Sequence, residues 1–200
     1  MLETAMEQIH RIFNNEMPRS LLLKLRHTIF IICFILLIPR IRPSLFWPGF
    51  LVSLFGALIQ FWCFASLEKN KTLAVKGPYM ITRNPMYLGR FFLLLGCLIL
   101  TANILFMIAF TALYYFYMFN RVKREEKKLH AVFGQAYEEY SGRVNRFLPS
   151  FRGLDWNAFW FFKTKLLMEN HGHWNLLICL CCYGIFYSRV MAETGHLHVI

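Results

Sequence analysis

Charge is scarce in this sequence, and negative charge scarcer still. Charged residues fill only 16% of the 200 positions, with 11 Asp and Glu against 22 Lys and Arg. Apolar residues make up 57%, aromatic residues 18%, and mean hydropathy is +0.42. A water-soluble domain of this length has too little polar surface to cover so much apolar side chain. A membrane protein can carry it, because lipid solvates the outer face. The formal net charge of +11 then points to a positive-inside bias and anionic headgroups rather than to nucleic acid.

Paired CxxC motifs are missing too. Six cysteines, at positions 33, 63, 97, 179, 181 and 182, all lie in apolar runs, so neither a zinc site nor a disulfide framework is suggested. They are expected to be buried free thiols, with the Cys179-Leu-Cys-Cys182 cluster leaving room for acylation near a membrane surface. His171-Gly-His173 and His196-Leu-His198 have no carboxylate or thiolate at recognisable metal-site spacing. No Gly-rich phosphate loop and no Gly-x-Ser-x-Gly elbow occurs. Residues 1–20, with Leu2, Met6, Ile9 and Phe13 at helical spacing, predict an amphipathic lead. No small-x-small cleavage site follows the next apolar run, so the lead is expected to be retained.

Long apolar runs are what the chain does have. The first, 21–38, is interrupted at its start by Lys24, Arg26 and His27, which must snorkel if it spans; Pro39 to Pro43 ends it. Leu45–Leu67 is long enough to cross a bilayer. Tyr87–Phe119 is broken at Thr101-Ala102-Asn103 and predicts a tight helical hairpin. Each arm of about 15 residues reaches ~22 Å, short of a ~30 Å hydrocarbon layer. The second arm is expected to continue through Arg121–Phe133 and to stop at Gly134. Trp156–Phe162 suits an interface, and Trp174–Tyr187, at 14 residues, is a marginal last span.

With the hairpin in place, its two flanking loops share a side. Together with the N-terminal lead and the entrance of the first helix they hold 19 of the 22 Lys and Arg, leaving Arg40, Arg42 and Arg189 opposite. That split places the N-terminus and both loops in the cytoplasm. The expected architecture is all-α, one integral membrane unit over 1–200. It has about five membrane-embedded helices, a core at 45–150, a cytoplasmic catalytic region and a last segment at 174–190.

Lys71 to Arg90 is the stretch where polar and backbone-restricting residues crowd together. Gly77-Pro78 marks one turn. Asn84-Pro85 marks another, with Pro85 at the start of a helix and Asn84 as its N-cap. Such a helix start attracts anions, here with Arg83 beside it. The plain alternative is an ordinary basic loop between membrane helices. Arg121 and Glu125, four apart, share a helix face; on their own they are as readily a surface ion pair as a functional one.

Taken together these pieces resemble the isoprenylcysteine carboxyl methyltransferases and their bacterial-type relatives, a group overlapping the phospholipid methyltransferases. The resemblance rests on Thr72-Leu73, Gly77-Pro78-Tyr79, Arg83-Asn84-Pro85-Met86-Tyr87-Leu88-Gly89 and Arg121 with Glu125-Glu126. It continues through Phe133-Gly134-Gln135-Ala136-Tyr137-Glu138-Glu139-Tyr140 and Val144-Asn145-Arg146-Phe147-Leu148-Pro149, covering about residues 50–150 in order. It implies a membrane-embedded S-adenosylmethionine-dependent methyltransferase. Lys71, Thr72, Leu73 and Ala74 would line the cofactor, and Tyr79, Asn84, Pro85, Met86 and Tyr87 would complete its pocket. Arg121 and Glu125 would face a lipophilic acceptor, a prenylated cysteine carboxylate, a thiol or a lipid amine. Asn84 stands where the family has histidine, and asparagine cannot titrate near neutral pH. The weak outer spans look like those of prokaryotic members, and a non-catalytic scaffold of the same fold is the rival reading.

Overall fold

The computed structural model describes residues 16–68, 72–151 and 154–197. The amphipathic lead falls mostly outside the described residues, as do Lys71 and His198. Among the described residues the chain is helical and has no strand. The helices are α1 (Glu16–Leu37), α2 (Phe46–Ser66), α3 (Pro85–Ile99), α4 (Ile104–Phe133), α5 (Gln135–Arg143), α6 (Trp156–Phe159), α7 (Thr164–Glu169) and α8 (Gly172–Leu197).

Three segments, Pro43–Ser66, Ile104–Phe133 and Gly172–Gly195, are long and apolar enough to cross a membrane; Thr28–Arg40 and Pro85–Ile99 are shorter apolar helices. Their outward faces carry Leu51, Phe55, Ile104, Leu105, Ile108 and Leu113, all exposed, as a lipid-facing surface requires. Cys33 and Cys181 share that exposure, so the expectation of six buried thiols holds only in part. The last span is longer than its 14-residue apolar core. Ser188 and Arg189 do not end α8: Val190 beyond them is buried in the same core cluster as Tyr183 and Phe186, and Arg189 pairs with Glu193 one turn on at 3.1 Å.

The closest packing is between α2 and α3, not between the arms of the hairpin. A Cβ on Gly56 would lie 2.4 Å from the Gly89 carbonyl oxygen, and one on Gly96 would lie 2.5 Å from that of Gly49. The two backbones therefore touch directly, as small residues allow at membrane helix crossings. Between these points Ser53 Oγ donates to the Leu93 carbonyl at 2.7 Å, and Tyr183 of α8 donates to the Gly49 carbonyl at 2.9 Å. With its glycines turned to α2, α3 presents bulk to α4, where Tyr87 and Phe91 meet Phe110 and Tyr114. Large side chains hold the arms apart, so the expected tight hairpin is a looser one.

The break between the arms is where the sequence places it. Ala102 takes φ 53°, and the Asn103 side chain accepts from Phe106 N at 3.1 Å, capping α4. Gly134, at φ 49°, ends α4 as expected. Near the end of α2, Trp62 Nε1 and Ser66 Oγ both donate to the Phe161 carbonyl, at 3.2 and 3.0 Å. Asn170 donates to the carbonyls of Phe64 and Leu67, at 2.9 and 2.7 Å. The aromatic segment around α6 is thereby tied to the polar end of a candidate span.

Candidate functional site

The site starts from a backbone requirement. Gly77 sits at φ 64°, and a Cβ there would lie 2.4 Å from Ser66 Oγ, so the turn Gly77–Met80 is built on glycine. The turn buries Tyr79 and leads into Thr82–Asn84, which runs beside the segment after α5. Arg83 N donates to the Asn145 carbonyl at 2.9 Å, Thr82 Oγ1 to the Arg146 carbonyl at 3.1 Å, and Ser150 N to the Ile81 carbonyl at 2.8 Å. Residues more than sixty apart in sequence thus form one strip.

Pro85 opens α3 as expected, but Asn84 does not cap it with its side chain. Its Nδ2 instead donates to the Arg146 carbonyl at 3.3 Å and to Glu126 at 3.4 Å. Glu126, which sequence reasoning passed over in favour of its neighbour, is buried on α4. It pairs with Arg83 at 3.4 Å and with Arg146 at 2.5 Å. Arg83 is therefore committed to a carboxylate of the protein rather than standing free at the helix start. The signal for Glu126 was present as the second member of Glu125-Glu126, but choosing between adjacent carboxylates requires knowing which face of α4 meets the loop.

Two tyrosine bonds fasten the rest. Tyr140 Oη donates to the Tyr79 carbonyl at 2.7 Å, and Tyr114 Oη donates to the Tyr87 carbonyl at 2.8 Å. Burial pushes the Tyr79 and Tyr140 hydroxyls above their ordinary values, so both stay protonated. Arg121 Nε donates to Glu125 at 2.8 Å and to Tyr87 Oη at 3.3 Å. One guanidinium edge thus joins α3 to α4 across the base of the hairpin.

These groups enclose a cavity of about 750 Å³. Of the residues singled out in the sequence, Thr72, Leu73, Ala74, Tyr79, Asn84, Met86, Tyr87, Arg121 and Glu125 line it; Pro85 is buried but is not on its wall. Further lining comes from Arg90, Tyr117 and Lys128, and from Tyr137 and Tyr140 of the helix after Gly134. The wall carries four basic side chains, Arg83, Arg90, Arg121 and Lys128, and three acidic ones, Glu68, Glu125 and Glu126. The Tyr137 hydroxyl, buried at this wall, has no hydrogen-bond partner in the protein. Among the described residues no cluster of three His, Cys, Asp or Glu is placed to hold a metal.

Residues 46–136 match the family model of the phospholipid methyltransferases. The chain is 32% identical over 85 residues to protein-S-isoprenylcysteine O-methyltransferase of Xenopus laevis, covering 42% of this chain and 30% of that protein. It is 33% identical over 82 residues to the probable enzyme of that name from Oryza sativa subsp. japonica, covering 41% and 43%. It is 31% identical over 111 residues to the cobalt-zinc-cadmium resistance protein CzcN of Cupriavidus metallidurans, covering 54% and 51%. In these three matches the chain spans from under a third to about half of the curated relative. No solved structure matches it. The matched segment contains α2, the loop, α3, α4 and hence most of the cavity wall, and over that segment the chain is similar to the phospholipid methyltransferases and the isoprenylcysteine O-methyltransferases.

Proposed function

We propose that the protein transfers a methyl group from S-adenosylmethionine to a lipophilic acceptor at the membrane, most directly a carboxylate as in isoprenylcysteine O-methylation. One observation carries this reading. Thr72–Ala74, then Asn84, Met86 and Tyr87, then Arg121 and Glu125, far apart in the chain, line one cavity at the foot of a helical pair.

The cavity suits the cofactor on three counts. Its volume of about 750 Å³ lies within the range of small-molecule sites. The rings of Tyr79, Tyr87, Tyr137 and Tyr140 offer π faces to a sulfonium and a purine. The Tyr137 hydroxyl, buried at the wall near Glu126, is placed to share a hydrogen bond with a bound ligand. When bound, S-adenosylmethionine supplies a methyl already activated by its positive sulfur.

The protein's own work is then placement. Leu73, Ala74 and Met86 supply apolar wall, and Asn84 is held by Glu126 and the Arg146 carbonyl, away from proton transfer. A carboxylate acceptor is ionised at neutral pH and needs no base, so asparagine in the histidine position is compatible with activity. Tyr87, Arg121 and Glu125 form a fixed polar edge against which the acceptor is oriented. The two loops flanking the hairpin carry most of the Lys and Arg in the sequence, which supports a cytoplasmic face for the cavity they line.

The test is calorimetric titration of detergent-purified protein with S-adenosylhomocysteine, repeated on Tyr87→Ala. The native chain should bind and the variant should bind more weakly. A folded native chain that takes up no heat from the ligand leaves the rival reading, a membrane scaffold. Transfer of labelled methyl into membrane lipid extracts then identifies the acceptor: a base-labile product marks a carboxylate, and the base-stable thioether and methylamine products are told apart by retention of the amine on a cation exchanger.

A further inference from the structure

Arg121 is the basic residue that sequence alone offers to an acceptor anion, but its Nε already serves Glu125 and Tyr87. Arg83 is paired with Glu126. A third arginine on the cavity wall is not neutralised in this way. Arg90 follows Gly89 on α3, three residues and about one turn beyond Tyr87, and lines the same cavity. Among the described residues no carboxylate lies within ion-pair distance of it. Its guanidinium sits 5.7 Å from the centre of the Tyr87 ring, and it is half-buried.

The position is costly for an uncompensated cation. Arg90 stands five residues inside an apolar helix, ~7.5 Å along its axis from Pro85, and is followed by Phe91, Phe92 and Leu93. Charged side chains at such depth face cavities and find partners. The flat face of Tyr87 takes one side of the guanidinium, leaving its N–H edge for an acceptor of hydrogen bonds. The geometry points to Arg90 as the binding group for the anionic head of an amphiphile, a carboxylate or a phosphate, held at the cavity wall beside Tyr87. This rests on, and deepens, the methyltransferase reading. It makes the acceptor an anionic amphiphile and moves anion recognition from Arg121 to a site one turn further into the membrane, with Tyr87 between the two.

Native mass spectrometry of the full chain released from detergent tests this directly. The probes are dodecanoate, dodecyl phosphate and dodecylamine, each titrated into the native chain, Arg90→Gln and Arg90→Lys. The native chain should retain one or both anions in preference to the amine. Arg90→Gln should weaken those adducts by about tenfold or more, the scale of a lost charge-assisted hydrogen bond, and Arg90→Lys should keep a large part of them. Loss confined to dodecyl phosphate identifies a bilayer phospholipid as the source of the anion, and loss of dodecanoate identifies a carboxylate acceptor. Equal adducts in the native chain and Arg90→Gln, or no preference for anions in the native chain, overturns the assignment. Titration of Arg90→Gln with S-adenosylhomocysteine keeps the two readings apart. Retained cofactor binding shows the variant folded, whereas a native chain that holds the anion but not S-adenosylhomocysteine removes the methyltransferase reading and leaves the Arg90 site standing.

Discussion

Glu126 on α4 and Arg146, twenty residues later on the segment after α5, form an ion pair at 2.5 Å, and Arg83 reaches the same carboxylate from the other side at 3.4 Å. Three parts of the chain meet at one buried carboxylate: the loop before α3, the cavity end of α4 and the strip around Pro149. The cavity keeps its shape only while that junction holds.

Glu126→Gln is therefore expected to lower stability by about 2 kcal/mol, because two arginines lose their common counter-charge while Arg146 keeps some access to solvent. Thermal unfolding in detergent should show a reduced midpoint, and S-adenosylhomocysteine affinity should fall with it. An unchanged midpoint would mean that the junction is not holding the strip in place.

Tyr140→Phe removes the hydroxyl that satisfies the Tyr79 carbonyl, at an expected cost of about 1–2 kcal/mol. It also carries a pH signature. Burial raises the Tyr140 hydroxyl above the ordinary phenolic value of about 10, so the folded state resists ionisation that the unfolded chain undergoes. The corresponding stability is fully present below pH ~10 and is lost as pH rises beyond it. Denaturation curves between neutral and strongly alkaline pH should fall less steeply for Tyr140→Phe than for the native chain.

Arg121→Ala and Glu125→Ala each break the edge shared with Tyr87. Methyl transfer should drop by about a hundredfold, the scale of losing one oriented polar contact in a transition state. S-adenosylhomocysteine binding should change much less. Parallel loss of transfer and cofactor affinity in both variants would instead assign the pair to the cofactor end.

Gly96→Ala drives a methyl group to 2.2 Å from Ser53 Oγ and 2.5 Å from the Gly49 carbonyl oxygen, so α2 and α3 must separate. A loss of about 2 kcal/mol or more is expected, on the scale of an overpacked core. Gly184→Ala, with nothing within 4 Å of the added carbon, is the control and should cost nothing. Similar unfolding midpoints for the two variants would contradict the α2–α3 contact.

The helical course of the chain was legible in its sequence because the signals are local. Apolar run length marks the candidate spans, Thr101–Asn103 and Gly134 mark the breaks, and Pro85 marks the start of α3. The cavity residues were largely legible too, since Thr72–Ala74 and Asn84–Tyr87 sit in a polar interruption between apolar blocks. The end of α8 was not, because Val190, beyond the polar Ser188-Arg189, is held in the buried core with Tyr183 and Phe186, a contact that local sequence does not show. Partner choice belonged to the tertiary structure. Whether Asn84 caps a helix or holds Glu126, whether Glu125 or Glu126 is buried, and which arginine is left without a carboxylate depend on distances between segments tens of residues apart. Periodicity places a side chain on a face, but only packing decides what that face meets.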